Sequence, residues 1–146
     1  MNIQQDFKEL LALLEEHSVD YMIVGGYAVA FHGFPRFTKD IDIFFDPSEN
    51  NVKKIIQALE KFGFSRENLE EKVFISEGNI VTFGVAPIRV DLINQIDGVL
   101  FAEAKPGRVR GKYGDLEVYF IGKDDLLKNK KATKRAKDKA DVEELL

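Results

Sequence analysis

The stretch Tyr21-Met22-Ile23-Val24-Gly25-Gly26-Tyr27-Ala28-Val29-Ala30-Phe31-His32-Gly33, followed by Asp40-Ile41-Asp42-Ile43-Phe44-Phe45, decides how this sequence is read. A short apolar run halted by two glycines predicts a strand and a tight turn. The Tyr27–His32 segment after it predicts a brief helix closed by Gly33 and Pro35. In the second piece Ile41, Ile43 and Phe45 alternate with Asp40, Asp42 and Phe44. The side-chain period of a strand is two, so a strand here turns its aliphatic groups to one face and both carboxylates to the other.

A chain of 146 residues with twelve aspartates yields roughly one Asp-x-Asp by chance, so the surroundings carry the weight. The pair sits in an apolar strand, where two residues span about 6.6 Å and both side chains can reach one metal region. Ile88-Arg89-Val90-Asp91-Leu92-Ile93 predicts a second strand, with Arg89, Asp91 and Ile93 on one face and a third carboxylate among them. Three acids on one buried surface repel each other and are costly to desolvate unless a cation compensates. With no Cys and only His17 and His32, the ligands must be oxygen, which suits Mg²⁺ or Mn²⁺. Two such ions about 4 Å apart can hold the attacking and leaving oxygens of a phosphoryl transfer in line. The bland alternative is a pair of solvated acids on an edge strand.

Gly25-Gly26 lies between a strand and a helix start, where a close backbone approach favours a phosphate, although a double glycine is by itself more often just a turn. Elsewhere, Phe7, Leu10, Leu11, Leu13 and Leu14 form a helical stripe ending near His17-Ser18. Pro47 ends the Asp40 strand. Ser48 then caps a helix through Val52, Ile55, Ile56, Leu59 and Phe62, stopped by Gly63. Asn68 to Lys72 reads as a helical turn or a loop, Val73-Phe74-Ile75 and Ile80-Val81-Thr82-Phe83 as strands, and Val99 to Ala104 as a short helix. Val109–Tyr113 and Leu116–Ile121 flank Gly114-Asp115 as a hairpin. Lys123–Lys131 and Asp138–Leu146 predict two final helices around a basic turn at Thr133 to Ala136. The sum is an α+β fold, a small mixed sheet flanked by helices with a C-terminal helix pair, over one domain, 1–146.

The net charge of −4 argues against a strong nucleic-acid binder. Against that, Lys128, Lys130, Lys131, Lys134, Arg135, Lys137 and Lys139 are opposed within their stretch only by Asp138, which leaves room for a local anion-binding surface. No apolar run is long enough to span a membrane, and the N-terminus lacks a signal-peptide pattern, so a cytoplasmic protein is expected.

These residues resemble the nucleotidyltransferase superfamily of the polymerase-beta type, whose signature is Gly-Gly or Gly-Ser, a short helix, Asp-x-Asp and a later third Asp. The closer likeness is to small stand-alone bacterial and archaeal members, including relatives of AbiEii-type toxins. It is carried by Ile23 to Gly33, Arg36, Thr38 and Asp40, and late in the chain by Lys130, Lys137-Asp138 and Ala140-Asp141. The resemblance implies transfer of a nucleoside monophosphate from an NTP to a hydroxyl or phosphate. It makes Asp40 and Asp42 metal ligands, Asp91 the third carboxylate that helps activate the acceptor oxygen, and Gly25 and Gly26 the phosphate-contacting turn. Gly26 stands where many relatives carry serine, which removes one hydroxyl contact to the triphosphate.

Arg36, Thr38 and Lys39 are placed to steady the triphosphate or the turn, and Lys128, Lys130 and Lys131 to meet phosphates, against the simpler reading of a solvated basic face. His32 reads as a structural helix-end residue, and Arg89 as an ion-pair partner for a carboxylate. The acceptor, whether RNA, protein or small molecule, is not encoded legibly. Two other classes compete with an enzyme of this kind: a non-catalytic nucleotide-binding or toxin–antitoxin module that engages a partner protein, and a metal-dependent phosphoesterase, which does not itself call for the glycine turn.

Overall fold

The computed structural model describes residues 4–34, 39–84, 89–133 and 136–145. Helix α1 (Gln5–Glu16) buries Phe7, Leu10, Leu11 and Leu14. Strand β1 (Tyr21–Val24) is buried throughout and runs directly into α2 (Gly25–Phe31), so the helix begins at the first glycine, two residues earlier than the sequence suggests. Strand β2 (Asp40–Phe45) and helix α3 (Glu49–Phe62) follow, with Ser48 Oγ accepting from the Asn51 amide and Gly63 closing the helix at φ 128°. Buried Asn51 ties this junction together: its Oδ1 accepts from the Asp20 amide at 2.8 Å, and its Nδ2 donates to the carbonyls of Asp20 and Asp46 at 3.0 and 2.8 Å.

The segment Val73-Phe74-Ile75 corrects its sequence reading as a strand. It lies in the short helix α4 (Glu71–Ile75), and Phe74 alone of the three is buried. Asn94 overrides the β preference of Val and Ile by donating to the carbonyls of Phe74 and Ser76 at 2.8 and 2.7 Å, which satisfies backbone a strand would have had to pair. Strands β3 (Ile80–Phe83) and β4 (Arg89–Ile93) come next, Ile88 lying outside the described residues. The helix expected from Val99 is shorter, α5 (Phe101–Ala104), since Val99 forms a bridge with Ile96. The hairpin β5 (Val109–Tyr113) and β6 (Leu116–Phe120) turns at Gly114-Asp115 as expected. Helices α6 (Lys123–Ala132) and α7 (Ala136–Leu145) end the chain, and part of the predicted basic turn, Lys134 and Arg135, falls outside the described residues.

The six strands form one mixed sheet in the order β3-β4-β2-β1-β6-β5. β2 runs antiparallel to β1 and parallel to β4, while β1 runs parallel to β6. Alternation along β2 divides the layers. Phe44, on the face of the two aspartates, meets Phe101 of α5 edge-on at 5.2 Å, whereas Phe45 meets Phe74 of α4 at 6.2 Å. Among the described residues no helix is long and apolar enough to cross a membrane.

Candidate active site

Asp40 and Asp42 stand in the interior of the sheet, since β2 is flanked by β4 and β1, which removes the edge-strand alternative. The β2–β4 register pairs Asp42 with Asp91 and Asp40 with Arg89, and the β1–β2 register pairs Asp42 with Val24. The site is thus assembled by strand pairing, which brings residues nearly fifty positions apart in sequence side by side on one face.

Gly25 adjoins Asp42 from the other side. It holds φ +68°, a conformation disfavoured for residues with a Cβ, and a Cβ at this position would overlap Asp42 Oδ2 and lie 3.2 Å from its Cγ. Glycine is therefore required twice over, by the turn and by the carboxylate beneath it. Gly26 is not among the positive-φ glycines of the described residues and sits in the first turn of α2.

Asp42 is mostly enclosed. Burial first, then the adjoining Asp91 and after it Asp40, push its carboxyl up from 3.8 to about 6, against the pull of the Lys130 ammonium. Asp91 is buried and oriented on two sides: Thr82 Oγ1 donates to its Oδ1 at 2.8 Å, and Arg89 Nη2 lies 3.4 Å from its Oδ2. The same Arg89 nitrogen lies 3.1 Å from Asp40 Oδ2, in keeping with the ion-pair reading of this arginine.

Of the three lysines proposed from α6, the structure brings one to the acids. Lys130 is buried and acts electrostatically on Asp42, whereas Lys128 is exposed and pairs with Glu103 at 3.8 Å, and Lys131 is exposed. Lys39 is exposed beside Asp40, and Arg36 and Thr38 lie outside the described residues. His32 accepts its structural role, its Nε2 2.8 Å from the Ile121 carbonyl oxygen.

A cavity of about 260 Å³ opens beside Asp42. Val24 and Gly25 line it, with the apolar Ile80, Ile93 and Ile96 and the polar Gln95, Asp97, Asn129, Lys130 and Thr133. Another cavity, about 310 Å³ and lined by Phe7, Leu10, Phe62, Phe64, Phe83 and Val90, holds none of the three acids. The sequence reading missed Thr82, Gln95 and Asn129. Thr82 had one weak signal, its place in an apolar strand; the other two become visible only when β3, β4 and α6 are brought together.

In its chemistry alone, three carboxylates with no thiolate beside them, the donor set is of the kind a hard divalent cation takes. Three carboxylates share one face, and Asp42 is pushed up first by burial and only then by its acidic neighbours. Among the described residues no three acidic or histidine side chains are drawn into metal-holding geometry, and the Arg89 guanidinium lies across two of the acids. Chemically, a cavity lined by both the Asp42 carboxylate and the buried Lys130 ammonium can take a polar, charged substrate.

Residues 6–102 match the sequence model of the aminoglycoside-2''-adenylyltransferase family. That span contains the glycine turn and all three aspartates, and stops before Lys130. Three solved structures are similar in fold. The lincosamide antibiotic adenylyltransferase LnuA, lincomycin-bound, is 20% identical with a TM-score of 0.58, covering 99% of this chain and 98% of its own. ANT(2'')-Ia in complex with adenylyl-2''-tobramycin is 16% identical at TM-score 0.56, covering 95% and 84%. TM1012, a candidate nucleotidyltransferase from Thermotoga maritima, is 16% identical at TM-score 0.57, covering 81% and 76%. No curated protein sequence matches the chain.

Proposed function

This chain belongs to the aminoglycoside-2''-adenylyltransferase family of nucleotidyltransferases, and from that premise we propose that residues 1–146 act as one unit moving an adenylyl group from ATP to a hydroxyl of a small-molecule acceptor. The observation that carries this reading is the pairing of Asp42 with Asp91 in adjacent strands, directly against the Gly25 turn. The acceptor class is supported by the relatives: LnuA is lincomycin-bound, and ANT(2'')-Ia carries adenylyl-2''-tobramycin.

In the reaction the acceptor oxygen bonds to the α-phosphorus, the bond from that phosphorus to the bridging oxygen breaks, and pyrophosphate leaves. The hydroxyl proton passes to a carboxylate. Asp91 suits that role, because Thr82 fixes its orientation by donating to Oδ1. Asp40, Asp42 and Asp91 would hold Mg²⁺ or Mn²⁺, which neutralises charge developing on the phosphates. Lys130 and the Gly25-Gly26 turn bind the triphosphate, and Lys128 and Lys131 contribute at most at long range. Ile80, Ile93 and Ile96 give the cavity an apolar wall against which a ring can lie.

The test is transfer of label from α-labelled ATP with Mg²⁺ or Mn²⁺ to aminoglycosides, lincosamides, RNA and protein in separate reactions. Product on a small molecule, lost in Asp91→Asn, supports the reading. Label appearing only on RNA or protein moves the acceptor to a macromolecule. Tight ATP binding without transfer to any acceptor, with a co-purifying partner, favours the toxin–antitoxin type of module and the AbiEii relationship instead.

A further inference from the structure

Among the described residues Arg89 pairs with two of the three acids, and nothing in the transfer reaction requires it there. Its Nη2 lies 3.1 Å from Asp40 Oδ2 and 3.4 Å from Asp91 Oδ2, so a single nitrogen lies between carboxylates of adjacent strands. Asp91 is thereby engaged at both oxygens, Oδ1 by Thr82 and Oδ2 by Arg89. The side chains differ in freedom: that of Asp91 is 13% exposed, whereas that of Arg89 is 48% exposed and can swing into solvent without unpacking its neighbours.

We propose that Arg89 is a resident counter-ion of the acidic face, holding Asp40 and Asp91 in place until a divalent cation displaces its guanidinium. This inference rests on the metal reading given under the proposed function. Two carboxylates this close repel each other, and the guanidinium between them offsets that repulsion at little cost. An ion pair this open to water is weak, so its displacement lowers cation affinity by about fivefold rather than by orders of magnitude. The arginine is thus a positioning residue. It tunes how readily the cation is taken up before nucleotide arrives, and it returns when the site empties.

Lys39 provides the control. It is exposed, adjoins Asp40 in the chain and makes no ion pair among the described residues, so its removal takes the same charge from the same neighbourhood without freeing a carboxylate. Mn²⁺ binding to the nucleotide-free protein, read from the EPR signal of free Mn²⁺, separates the cases. Arg89→Gln is expected to bind Mn²⁺ about fivefold more tightly than wild type, Lys39→Gln within twofold of it, and Arg89→Lys in between, because an ammonium keeps the charge but loses the fork. Equal affinities for wild type and Arg89→Gln, or equal gains in Arg89→Gln and Lys39→Gln, overturn the proposal while leaving the metal reading intact. No Mn²⁺ uptake by any variant, with ATP or without it, overturns the metal reading and this inference together.

Discussion

At Asp42, folding and chemistry make opposite demands on one side chain. Burial and the neighbouring carboxylates raise its folded-state pKa to about 6 from 3.8. The protonated form therefore suits the fold. Its contribution to stability is fully present below 3.8, is lost as pH rises through about 6, and leaves the ionised group costing the fold about 3 kcal/mol at neutral pH. Asp42→Asn should accordingly melt higher than wild type at pH 8, by several degrees, with the gap closing near pH 4; thermal melts across that range check it. The same variant should lose adenylyl transfer by roughly a hundredfold or more, because an amide neither attracts a cation nor replaces the lost charge. A substitution that stabilises while it inactivates marks a residue kept for function. Asp40, Asp42 and Asp91 were legible in the sequence because alternation in a strand fixes the face of every side chain. The balance among them was not, since Thr82, Arg89 and Lys130 act on the acids only through pairing and packing.

The junction of β1 and α2 carries a prediction of its own. Gly25 needs both its positive φ and its missing Cβ, so Gly25→Ala should destabilise the protein by about 2 kcal/mol and displace Asp42, lowering transfer as well. Gly26 lies in the helix without that backbone demand, and Gly26→Ala should be neutral or stabilising by up to about 1 kcal/mol, since glycine is the poorer helix former. Denaturant titration of the two variants separates turn from helix. A comparable contrast holds along α6. Lys130→Met should raise the KM for ATP about tenfold with a smaller change in kcat, whereas Lys131→Met and Lys128→Met should stay within about twofold, because only residue 130 is buried toward Asp42. Steady-state kinetics at fixed acceptor measure this. The elements themselves were largely readable from periodicity, caps and turn residues: α1, α3 and the β5–β6 hairpin follow their sequence signals closely. Val73-Phe74-Ile75 was not readable, because the helix there depends on Asn94, whose amide reaches it from the end of β4. Which of several lysines on a basic helix faces inward depends on how that helix docks.

Across the whole molecule, the site draws on parts of the chain that are far apart in sequence: the Gly25 turn, Asp42 on β2, Asp91 on β4 and Lys130 on α6, with the cavity wall adding Ile80 and Ile96. No local segment contains it, so a ligand bound there must be released when the sheet or the final helices come apart. On the proposed reading, the binding energy of ATP with Mg²⁺ at this site would be coupled to global unfolding. At a hundred times its Kd the ligand should add about 2.7 kcal/mol to stability. For a chain of this size that corresponds to about 5–10 °C in Tm. Asp91→Asn and Lys130→Met should each reduce the shift, the first through the cation and the second through the phosphates, while Lys131→Met retains it. The decisive variant is Asp42→Asn, whose ligand-free Tm is higher at pH 8 but whose shift with ATP and Mg²⁺ should nearly vanish. A full shift in that variant would mean that the nucleotide binds away from the aspartate face, and differential scanning fluorimetry over an ATP series distinguishes the two outcomes.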